Sequence, residues 1–74
     1  MSLAHAPIRK TLRILGVRRG GLLTQRLMEM GLIEGAEVQV VRRAPLGDPL
    51  HVRLGDSELS LRTSEARLVD VSSV

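Results

Sequence analysis

With 74 residues the chain has room for one domain, because a second unit would carry too little apolar surface to offset the entropy of ordering its backbone; residues 1–74 are therefore read as a single domain. The absence of cysteine excludes disulfides and thiolate metal sites, and the absence of Phe, Tyr and Trp excludes base-stacking nucleic-acid platforms and aromatic peptide grooves. A formal net charge of +3, from 11 basic residues against eight acidic ones, would draw an acidic protein surface or bare phosphates.

In chain order, Met1 to Pro7 lacks an apolar run of signal-peptide length, and no later stretch is long enough to cross a bilayer. The expectation is a cytoplasmic protein without direct membrane insertion. Lys10 to Leu15 reads as a strand with Leu12 and Ile14 on one face. Leu22 to Met30 is the one convincing helix, since Leu23, Leu27 and Met30 recur at the i, i+4, i+7 spacing of a buried stripe, with Leu27 as its anchor. Gly31 ends it, and Leu32 just beyond is placed to fold back on Leu27 as the apolar contact of a Schellman motif. Gly35 then opens a valine-rich strand, Ala36 to Arg43, with Val38 and Val40 inward; Val41 breaks the alternation and implies either a bulge or a strand covered on both faces.

The segment Pro45-Leu46-Gly47-Asp48-Pro49 has the composition of a rigid turn, with proline presetting φ and glycine freeing it. Leu46 at its tip either closes the barrel end or meets a partner, and sequence leaves the two outcomes equal. Gly55-Asp56 centres a hairpin of type I′ or II′. Counting outward pairs Leu54 with Ser57, Val52 with Leu59 and Leu50 with Leu61 on the apolar face, and Arg53 with Glu58 and His51 with Ser60 on the polar one. Thr63 to Ala66 reads as one helical turn with a hydroxyl cap, and Leu68 to Val71 as a last short strand. Five short strands with one helix between the first two suggest a mainly β domain, a small SH3-like, partly open barrel; a flat antiparallel sheet backed by the helix is the other architecture this order allows.

Two segments carry a resemblance. Arg26-Leu27-Met28-Glu29-Met30-Gly31-Leu32-Ile33-Glu34-Gly35 and Arg43-Ala44-Pro45-Leu46-Gly47-Asp48-Pro49-Leu50 are similar in content, order and spacing to the FeoA family of bacterial ferrous iron transport, and Leu59-Ser60-Leu61-Arg62 with Glu65-Ala66 continues the match. The chain departs from that pattern at Glu34, where many members have proline, and near Arg9, where many have glycine. The resemblance implies an SH3-like barrel acting in the cytoplasm, at the inner face of the membrane through its partner FeoB, a membrane transporter with a GTP-hydrolysing domain. The family's domain also occurs fused to metal-responsive regulators.

No phosphate-binding glycine loop, cysteine nucleophile or connected Ser-His-Asp set is present, so no enzyme and no cofactor is expected. His5 and His51 are the only histidines and the acids show no ligand spacing, so no metal site is assigned. An arginine such as Arg42 or Arg43 entering the partner's GTP site is conceivable chemistry that no sequence feature singles out. Pro45, Leu46, Gly47 and Asp48 are the candidate partner contacts, with Arg26 and Glu29 as a rim, while Leu27, Gly31, Gly35 and Gly55 are structural. The rival readings are a basic barrel contacting nucleic-acid phosphates without sequence specificity, a metal-regulator type of interaction domain, and a subunit that self-associates through a strand edge.

Overall fold

A computed structural model describes residues 1–18 and 21–74. Its elements are a 3-10 turn η1 (Leu3–His5), strand β1 (Thr11–Val17), helix α1 (Leu22–Glu29), strands β2 (Glu37–Arg43), β3 (Leu50–Leu54) and β4 (Ser57–Leu61), the helical turn α2 (Thr63–Ala66) and strand β5 (Val69–Ser73). All strand pairs are antiparallel, in the order β4-β3-β2-β1-β5.

The hairpin register is the one its turn dictates, with Leu50 opposite Leu61, Val52 opposite Leu59 and Arg53 opposite Glu58. Gly55 has φ +61° and Asp56 keeps a negative φ, so the turn is type II′, which needs a left-handed residue only at its first central position. The inward residues Leu12, Ile14, Val38, Val40, Leu50, Val52, Leu61, Val69 and Val71 are all buried in one cluster. One eight-residue helix is too small to cover that many strand positions, so the sheet curls around its own core; the flat-sheet alternative is set aside. Two bulges assist the curl by sharpening the local twist. Val41 is the extra residue of β2 against β3, which resolves the broken alternation in favour of a bulge, and Leu15 is a second extra residue, of β1 against β5, that sequence patterning missed.

Helix α1 closes with both bonds of a Schellman motif: the Leu32 N–H donates to the Leu27 carbonyl (3.2 Å) and the Gly31 N–H to that of Met28 (3.0 Å). Gly31 has φ +102°, a conformation that strains any L side chain, and a Cβ there would lie 3.0 Å from Leu54 Cδ2, so Leu54 would have to give way as well. Leu27 and Leu32 are fully buried. The stripe expectation needs correction at its ends: Leu23 is half-buried and Met30, the C-cap rather than a helical residue, is 44% exposed, because the turn that admits Leu32 to the core displaces Met30 outward.

The first residues were not expected to be structural, yet Leu3, Ala4 and Ala6 belong to the core. Met1 exchanges backbone hydrogen bonds with Val71, so the segment starts beside β5 and then crosses beneath the barrel toward β2. Turn α2 is also held differently from expectation. Its N-cap, Arg62, makes no side-chain cap bond, and no hydroxyl of its own caps it; the Asp48 carboxylate accepts the Thr63 N–H (2.7 Å) and the Glu65 carboxylate accepts that of Arg62 (2.7 Å).

Candidate partner-binding surface

Strand direction gives the barrel two ends. The β2–β3 loop, the end of β4 and the start of α2 lie at one; helix α1, the Gly55 turn and the start of β2 lie at the other, since Gly31 abuts Leu54 and the Gly35 N–H donates to the Ile14 carbonyl (2.8 Å). At a rise of about 3.3 Å per residue, the five residues of β3 separate the two ends by roughly 15 Å.

At the loop end, the Gly47 N–H donates to the Ala44 carbonyl (2.7 Å) across a turn with Pro45 second and Gly47 fourth, and the Ala44 N–H donates to the Pro49 carbonyl (3.1 Å). The Asp48–Pro49 peptide is cis. The Thr63 hydroxyl reaches both the Gly47 carbonyl (3.2 Å) and the Asp48 carboxylate (3.1 Å), so the loop is braced from inside and from α2. Asp48 is thus part of the brace. Leu46, by contrast, is 97% exposed. It does not close the barrel, and of the two outcomes left open by sequence the inward one is excluded.

Arg26 and Glu29 are exposed on α1, at the opposite end, so the structure does not bring them together with the loop as a rim. Leu27, Gly31, Gly35 and Gly55 all stand at that helix end, the three glycines with positive φ. Arg43 is not a free guanidinium: Nη1 donates to the Ala4 carbonyl and Nη2 to that of Ala6, both at 2.8 Å, which removes it as a residue able to reach into another protein's site. Arg42 remains exposed.

The helix end carries a shallow groove of about 520 Å³ floored by Met30, Ala36, Val38 and Leu54 and edged by Glu37 and Arg53. Charges near it are paired: Arg13 with Glu37 (3.0 Å) and Arg53 with Glu58 (2.9 Å), while His51 Nε2 lies 2.7 Å from the other Glu58 oxygen. The Arg53 guanidinium first, and the His51 ring second, hold the Glu58 carboxyl below the usual glutamate range by hydrogen bonding. Among the described residues no group of three or more His, Asp or Glu side chains converges as metal ligands would, and no helix is long and apolar enough to cross a membrane.

Comparison with known proteins adds a family. The model of the FeoA domain matches residues 1–73. A curated protein of Porphyromonas gingivalis, an Fe(2+) transport protein A/Fe(2+) transporter FeoB fusion, is 36% identical over 61 residues, which is 82% of this chain but only 7% of that one. The solution structure of iron(II) transport protein A from Clostridium thermocellum superposes over the whole chain and 46% of its own length, with a TM-score of 0.94 and 35% identity. The zinc-complexed crystal structure of Stenotrophomonas maltophilia FeoA, described as a prokaryotic SH3 domain protein, matches 97% of this chain and 89% of its own, with a TM-score of 0.87 and 33% identity. The fold is accordingly SH3-like.

Proposed function

Since the chain belongs to the FeoA family, which is linked to Fe(2+) transport, we propose that it is a non-enzymatic accessory that binds the cytoplasmic part of an FeoB-type, GTPase-bearing iron transporter. The observation that carries this reading is the Porphyromonas gingivalis fusion, in which the two named proteins share one chain. Joining two modules holds them at an effective concentration on the order of mM, so even a weak contact is occupied, whereas separate chains need a contact that stands alone. The build of this protein suits surface contact: among the described residues no polar or charged side chain is buried, and the most exposed large apolar residue sits on a braced loop.

Passing the detergent-solubilised full-length transporter of the same cell over the immobilised protein tests the reading. Retention that free protein competes away is expected. A transporter that flows through at low and physiological salt overturns it, and a steeply salt-dependent shift of DNA in a gel would favour the phosphate-binding rival instead.

A further inference from the structure

The charges of this protein are divided between its two ends. Among the described residues, the half of the barrel bearing the β2–β3 loop holds Arg9, Lys10, Arg42, Arg43 and Arg62 against only Asp48 and Glu65. Arg9, Lys10, Arg42 and Arg62 are exposed, and among the described residues none of the four makes an ion pair, whereas the ion pairs that do form engage Arg13, Arg18 and Arg53. Asp48 and Glu65 already accept backbone hydrogen bonds from Thr63 and Arg62.

Leu46 rises from the same end. Arg42 precedes the loop by three positions, and Arg62 adjoins Thr63, whose hydroxyl touches Gly47 and Asp48, so the two cations belong to the segments that enter and brace the loop. We propose that the Leu46 tip with Arg42 and Arg62 is the docking surface of this protein, and that its occupant is an apolar pocket ringed by acidic side chains on the cytoplasmic part of the transporter. This rests on the transporter-binding reading above. An apolar anchor held rigid before binding loses little conformational entropy on docking, and a ring of opposite charge steers its approach. A bilayer is the poorer occupant: lipid anchoring scales with buried apolar area, and one leucine tip supplies little.

Kinetics of binding to the detergent-solubilised full-length transporter test the assignment. Leu46→Ala and Leu46→Asp should each raise Kd about tenfold or more, chiefly through faster dissociation. Arg42→Glu combined with Arg62→Glu should slow association several-fold and flatten its dependence on salt. Thermal melts of the Leu46 variants should match the parent, because Leu46 touches no core, and Arg26→Glu at the opposite end should bind as the parent does. If the parent chain binds while the Leu46 variants and the Arg42/Arg62 variant all bind equally well, the docking surface is wrong and the transporter reading survives. If the parent itself does not bind, both fall. Equal loss of Leu46 variants from phosphatidylserine vesicles, with transporter binding intact, would replace the acidic pocket by a membrane and overturn the proposal.

Discussion

Arg43, at the end of β2, donates a 2.8 Å hydrogen bond to the carbonyl oxygen of Ala4, 39 residues earlier in the chain. Its second terminal nitrogen holds Ala6 in the same way, so one planar guanidinium straps the crossing segment under the barrel while Leu3 fills the core beside it. The carbonyls it serves belong to residues that are nearly or fully buried, and no regular ladder satisfies them.

Arg43→Lys keeps the charge but cannot span both carbonyls, and should destabilise by about 1.5–3 kcal/mol, the worth of a charge-assisted bond. Leu3→Ala, at a fully buried position, should cost about 2–5 kcal/mol. Urea melts measure both. If the two midpoints stay put, the segment does not hold to the barrel in solution.

Leu27 is fully buried and supplies the carbonyl that closes the Schellman bond from Leu32. Leu27→Ala should cost about 2–5 kcal/mol, a large share of the 5–15 kcal/mol typical of domains. Met30→Ala, at a half-exposed C-cap, should cost less than about 1 kcal/mol. Equal midpoint shifts in the two variants would return Met30 to the buried stripe.

Arg9 is the only non-glycine residue described with positive φ (+64°), at a place where its N–H donates to the Val40 carbonyl at 2.7 Å. The bond fixes the backbone there, so the side chain must tolerate a conformation that is strained by about 1–2 kcal/mol for an L-residue. Arg9→Gly relieves the strain but loosens the unfolded chain by about 0.4–1 kcal/mol, and should come out neutral to slightly stabilising. Arg9→Val, branched at Cβ, should be clearly destabilising. Calorimetric melting temperatures should rank glycine at or above arginine and valine below; valine equal to arginine would mean a negative φ in solution.

The hydrogen bonds from Arg53 and His51 lower the Glu58 pKa in the folded state, so the carboxylate contributes stability that is fully present above the ordinary value of about 4.5 and is lost as pH falls through the lowered one. Melting temperatures of the parent and Glu58→Gln should differ by a constant amount above that value and converge on acidification. A difference that grows toward low pH would reverse the sign of the shift.

Sequence by itself determined what depends on neighbours along the chain. The Gly55-Asp56 turn set the register of Leu50 to Leu61, because a two-residue turn fixes every pair that follows it, and Gly31 with Leu32 specified the end of α1 through bonds spanning six residues. The Pro45–Pro49 loop was legible as rigid for the same reason. Tertiary structure decided what depends on residues far apart in the chain. Leu3 and Ala6 sit in a stretch with no periodicity, so only the barrel closing over them makes them core. Arg43 reads as a surface cation until Ala4 and Ala6 arrive beneath it. Met30 continues the helical spacing of Leu27, yet burial follows from what packs opposite, and Leu32 takes that place. Arg26 and Glu29 fall at the other end from Leu46 because β1 delivers the helix to the end where β3 finishes, and the direction of a strand within a barrel is a property of the assembled sheet.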